Sequence, residues 1–261
     1  MKLLLQLEWG KIRRYRTFWA FIILFAVTLA GISAVLYKVR EGMHSLTIDA
    51  PGVTLFGPGR LWSTTAWAGG FGVLVLGLLV IVLVTNEFVF KTQRQQVMEG
   101  MSRTAFMAGK WMVVAGLTAY GWILYVLASW VLGAASGFSV AGIMTGCGFA
   151  GYFLLKIALS LSIAMMIALW VRRAGLAIVI YLLYVIMLEG ILGFLLNRIA
   201  GGLGDFLPLK AVGTLISNPV SRLLPDMGNP AAGTGWLVAA SVAYLVIFIA
   251  VSVVHVRHRD L

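Results

Sequence analysis

Apolar positions along this chain come in long unbroken runs. Six of them, approximately Thr17 to Tyr37, Ala66 to Thr85, Phe106 to Leu132, Phe149 to Val171, Ala174 to Leu196 and Trp236 to Val256, reach the about 20 residues needed to cross a hydrocarbon core roughly 30 Å thick. Backbone amides in lipid must be satisfied within the segment or around a closed barrel. The runs are far too long for the alternating strands of about ten residues that build a barrel. The pattern therefore predicts an all-α integral membrane protein with six transmembrane helices, forming a single domain over residues 1–261.

The polar interruptions are equally informative. Residues 1–16, "MKLLLQLEWGKIRRYR", set Leu5, Trp9 and Ile12 on one helical side and Lys11 and Arg14 on another, which predicts an amphipathic helix lying along the membrane interface. Between the second and third spans, "TNEFVFKTQRQQVMEG" crowds glutamines and charges between greasy runs. If it is helical, Phe90, Val97 and Met101 share one side, and Gly100 suits a helix end because it tolerates positive φ. A solvated loop is the competing reading of residues 86–104. A long excursion, residues 197–235, contains "GDFLPLKAVGTLISNPVSRLLPD", broken by Pro208, Pro219 and Pro225. Its Phe206, Leu207, Leu209, Val212, Leu215 and Ile216 allow a short helix dipping into the interface. An external Pro-punctuated loop stays open beside it.

Composition agrees: 61% of residues are hydrophobic and 11% charged, far from the roughly one-quarter charged of soluble domains. Charge then orients the chain. Of 20 basic residues, one face takes Lys2, Lys11, Arg13, Arg14, Arg16, Lys91, Arg94, Arg103, Lys110, Arg172, Arg173, Arg257 and Arg259. The other takes Lys38, Arg40, Arg60, Arg198, Lys210 and Arg222. The positive-inside bias puts both termini, and the segment 86–104, in the cytoplasm. The net charge of +11 is accounted for by anionic headgroups, so membrane lipids are expected partners and nucleic acid is not. Seven tryptophans, among them Trp62 and Trp111, fall near span ends, where indoles favour the headgroup zone. The first run is read as a retained span, not a cleaved signal, because its apolar core exceeds the usual signal length. Cys147 is the only cysteine, so neither an intrachain disulfide nor a thiolate cluster is expected.

Two ionisable residues lie well inside spans, Lys156 and Glu189. Counted at about 1.5 Å per residue from the outer span ends, they share a depth of roughly 10 Å. Charges there usually pair or face a polar cavity, so an ion pair joining spans four and five is expected, with a substrate-facing or proton-linked role as the alternative. On the ion-pair reading, Lys156→Met with Glu189→Gln accumulates better than either single variant, because one change strands a charge. His255 and His258 are one turn apart without a nearby third ligand and read as a cytoplasmic tail. Gly133 with Gly137 and Gly142 with Gly146 permit close helix contact. No metal site is expected, and no Ser/His/Asp, Cys/His or paired-carboxylate arrangement supports an intramembrane enzyme.

The order "NE", "KT", "GMSR" and "AGKW" resembles the first cytoplasmic loop of type-2 ABC exporter permeases. In that family the loop carries a glutamate, a Gly-Thr-like turn, a Pro-x-Ser-Arg-like element and a Gly-Lys before the next span. Glu87, Thr92, Ser102, Arg103, Gly109 and Lys110 stand at the matching positions, Gly100 where many relatives have proline and Lys91 where many have glycine. "NPVSR" at residues 218–222 is closer to the Pro-x-Ser-Arg element, but the span count places it outside. The resemblance runs over nearly the whole chain. It implies a short coupling helix docking on a separate ATPase subunit through Glu87, Thr92, Arg94, Ser102, Arg103 and Lys110. It also implies a second permease subunit as homo- or heterodimer partner, and a location in the bacterial cytoplasmic membrane. ATP and magnesium would sit on the partner, the permease itself holding no cofactor. In keeping with that, the Gly-Lys pairs at Gly10 and Gly109 continue with Ile and Trp, not as a phosphate-binding loop. An ATP-independent secondary carrier using Lys156 and Glu189 is the rival reading, although no internal repeat is visible. A membrane scaffold of an envelope machine is the third.

Overall fold

The computed structural model describes residues 8–45, 57–90, 102–216 and 233–258. Every element described is helical: α1 (Arg16–Ser45), α2 (Leu61–Val89), α3 (Arg103–Ala135), a short α4 (Val140–Met144), α5 (Phe149–Val171) and α6 (Ala174–Leu183) lead to a π-turn (Tyr184–Leu188). After it come α7 (Glu189–Ala200), a 3-10 turn (Leu203–Phe206), α8 (Pro208–Leu215) and α9 (Thr234–His258). Six helices are long and apolar enough to cross a membrane, with α6, the π-turn and α7 fused into one of them. The protein is a multi-pass helical membrane protein.

The helices overrun the apolar runs that predict them. Polar residues at the span ends bond back to their own helix, so helix continues where hydropathy fades. In α2 the Thr65 hydroxyl donates to the Leu61 carbonyl at 2.9 Å and contacts the Ser129 hydroxyl of α3 at 2.9 Å. Nearby, the Tyr125 hydroxyl donates to the Trp62 carbonyl at 2.8 Å. Residues 86–89 and 103–104 likewise lie in α2 and α3, with Phe90 and Ser102 as their caps, while the rest of the expected coupling segment, 91–101, lies outside the described residues.

α2 and α5 form the centre of the bundle: 61% of each span's most apolar window is buried, against 11% for α1 and 17% for α9. Small residues let these helices approach, the usual basis of helix packing in lipid. Gly72 faces the Phe25 ring and Gly77 lies under the Tyr181 hydroxyl, which contacts Ser160 at 2.7 Å. Gly133 is similarly packed against Leu61 and Ile143. Gly137 and Gly146, by contrast, hold positive φ of 74° and 86° and serve as turn residues.

Two excursions depart from the simple six-span picture. Residues 8–12 are helical, but the chain turns at residues 13–15 before α1 begins, so the interfacial helix expected over 1–16 does not run unbroken; residues 1–7 lie outside the described part. In the segment 197–235, α8 is a buried helix packed against α5 and α9, with Ala211, Val212, Leu215 and Ile216 inside. Pro208 occupies its first turn, where a missing N–H costs nothing. The stretch 217–232, including "NPVSR", lies outside the described residues.

Candidate functional site

Two charged constellations stand out, one at each level of the bundle. The first joins the segment 8–12 to the helix ends flanking residues 91–101. The Lys110 ammonium of α3 donates to Glu8 Oε2 at 2.5 Å and to Glu87 Oε1 of α2. Lys11 completes the cluster, 3.2 Å from Glu8 and 3.8 Å from Glu87. Two cations and two carboxylates thus neutralise one another inside the protein, where isolated charges would be costly. The Phe106 ring lies 5.3 Å from the same ammonium.

Three consecutive residues of "AGKW" build this junction. A side chain at Gly109 would meet the Glu8 stem at 3.3 Å, so glycine gives the carboxylate its room. Lys110 supplies the charge. Trp111 Nε1 donates to the Ser252 hydroxyl of α9 at 2.8 Å, tying in the last span. Trp62 similarly donates to the Ile143 carbonyl at 2.6 Å. These two indoles serve internal bonds as well as marking span ends.

Of the six residues that the resemblance assigns to docking, Glu87 and Lys110 are therefore engaged inside the chain. Ser102 is the N-cap of α3, its hydroxyl accepting the Ala105 N–H at 3.2 Å. Arg103 opens the helix. Thr92 and Arg94 lie outside the described residues.

Burial alone would raise the Glu8 carboxyl, but the Lys110 ammonium, followed by Lys11, outweighs it and holds the group below its ordinary 4.5. A depressed carboxyl stabilises the fold above its unfolded value and stops doing so as pH falls through the folded one. Thermal melts of purified protein should therefore lose midpoint as pH drops below about 4.5, and Glu8→Gln should flatten that decline. Identical pH profiles for the two proteins would remove Glu8 from the account.

The second constellation is a cavity of about 460 Å³ at membrane depth, between α2, α5, the π-turn, α7 and α8. Lys156 and Glu189 both line it, as does Lys210. The direct Lys156 to Glu189 ion pair expected from their depth is not formed: no ion pair within 4.0 Å involves Lys156 among the described residues. Instead Glu189 Oε1 accepts the backbone N–H groups of Leu209 at 2.5 Å and Lys210 at 2.8 Å. The physical reason is competition. The first turn of α8 presents N–H groups without an intrahelical acceptor and a positive dipole end, and the Glu189 carboxylate answers both. Glu189 lies roughly 16 Å, counted along the helix, from the end of α7, so the contact holds the start of α8 well inside that end of the bundle. Lys210 instead faces Asp205 at 3.6 Å, and Asn197 donates to the same Asp205 at 2.9 Å.

No family model matches this chain, and no curated protein matches it.

The fold and these two constellations define a class: a helical membrane protein with a rigid charged junction at one end and a charged cavity within the bundle.

Proposed function

We propose that this chain is the permease subunit of an ATP-driven exporter of the type-2 ABC class. It works with a separate ATPase, which binds ATP and magnesium, and with a second permease copy or homologue. The supporting observation is the junction of Glu8, Lys11, Glu87 and Lys110. It clamps the N-terminal segment to both helix ends that flank residues 91–101, so a push on that loop moves α2 and α3 together. In this reading Thr92, Arg94, Ser102 and Arg103 face the ATPase, while Glu87 and Lys110 carry its motion into the spans. The loop and both termini are assigned to the cytoplasm of a bacterial cell on the excess of basic residues there.

Extraction of the tagged protein from its native membrane in mild detergent tests the reading. An ATPase should copurify with wild type and be lost with Arg94→Ala/Arg103→Ala protein that elutes as wild type does on size-exclusion chromatography. If no ATPase accompanies either folded protein, the reading fails. A secondary carrier then takes its place, favoured by the charged cavity, and flux should follow an ion gradient rather than ATP.

A further inference from the structure

Most charges lining the membrane-level cavity are already used. Lys210 faces Asp205, and Glu189 Oε1 caps α8. Two groups lack a counter-ion among the described residues. The Lys156 ammonium has no hydrogen-bond or ion-pair partner among the described residues. The Glu189 carboxylate, beside which the Tyr184 hydroxyl stands, caps α8 through uncharged N–H groups and has no ion-pair partner within 4.0 Å among the described residues, though the residue is only 4% exposed. A cation and a carboxylate, each without a counter-ion among the described residues, therefore line one enclosure without meeting.

The space around them is shaped for this. A methyl group at Gly70 would overlap the Lys156 ammonium and its last carbon, so glycine in α2 makes the recess in which the charge lies. At Gly193 the same holds for the Lys210 stem. The π-turn ends immediately before Glu189; such insertions into a helix recur at functional positions. The other walls are apolar, with Trp67, Phe71, Val185 and Ile186 contributing. Phe71 and Ile186 are 61% and 64% exposed, and they open the cavity sideways at the depth of the hydrocarbon core.

We propose that this cavity binds a zwitterionic lipid, its phosphate on Lys156, its ammonium facing the Glu189 carboxylate, and its acyl chain leaving past Phe71 and Ile186. Both charges of the ligand are needed to neutralise both groups. The lateral apolar opening favours a lipid over a water-soluble zwitterion. The volume falls within the roughly 300–1,000 Å³ of ordinary ligand pockets. The inference does not depend on the exporter reading, because binding is measured on the isolated chain.

Native mass spectrometry of the detergent-purified full chain, titrated with lysophosphatidylethanolamine and with lysophosphatidylglycerol of equal chain length, tests it. The ethanolamine lipid should saturate and the glycerol lipid bind about tenfold more weakly, the scale of one lost charge-assisted contact. Lys156→Met should weaken the ethanolamine lipid by a similar factor. Gly70→Ala should do the same by displacing the ammonium. Glu189→Gln should narrow the preference between the lipids, and if that variant does not fold, the wild-type comparison of the two lipids decides the same point. Equal binding of both lipids, wild-type affinity in both Lys156→Met and Gly70→Ala, or no saturable binding would each overturn the proposal.

Discussion

Lys110→Met is expected to abolish most of the folded protein. Lys110 is 6% exposed and its ammonium holds both Glu8 and Glu87. Its loss leaves two inward carboxylates sharing Lys11, at 3.2 and 3.8 Å. Removing one partner of a buried ionic cluster costs about 3–5 kcal/mol, a large share of the 5–15 kcal/mol that holds a typical domain together. The loss should appear as aggregation on size-exclusion chromatography and a much lower melting midpoint. Neutralising the two carboxylates should reverse it: Glu8→Gln/Glu87→Gln/Lys110→Met is expected to recover most of the monodisperse protein, because the cluster's remaining charge, Lys11, has a side chain 30% exposed and can be solvated. A triple variant no better than Lys110→Met would show that packing of the lysine stem, rather than charge balance, holds the junction.

Glu189→Gln is expected to cost about 1.5–3 kcal/mol, the worth of hydrogen bonds to a charged group. The Leu209 and Lys210 N–H groups would keep only a neutral acceptor, and the first turn of α8 would lose its compensating charge. Lys156→Met should be neutral or mildly stabilising, since it removes a cation without a protein partner from bilayer depth. The double variant should then melt below Lys156→Met alone, differing from Glu189→Gln only by the small gain that Lys156→Met gives by itself. This reverses the ordering that a Lys156 to Glu189 pair demands, in which the double variant exceeds both singles. Melting midpoints of the four proteins in one detergent separate the two. A double variant that melts above both singles would restore the ion pair and remove the α8 cap from the account.

Long apolar runs determined by themselves that this chain is helical and crosses a membrane six times, since lipid leaves the backbone no other partner over such lengths. Lys156 and Glu189 were also legible as unusual, because a charge within an apolar run is rare enough to ask for a partner, while Glu87 and Lys110 entered only through the resemblance of the loop. Which partner each one takes was not legible. Glu8 meets Lys110 across 102 positions and Glu189 meets backbone N–H groups 20 and 21 residues on, and backbone donors carry no signal in the identity of a residue. Depth along a span follows from counting. The direction a side chain faces around the bundle follows from packing, through glycines such as Gly70 and Gly109 whose missing side chains admit a neighbour's charge. The same holds for α8: its prolines mark a break in either a loop or a helix, and its burial between α5 and α9, capped by a carboxylate from another span, made it a helix within the bundle.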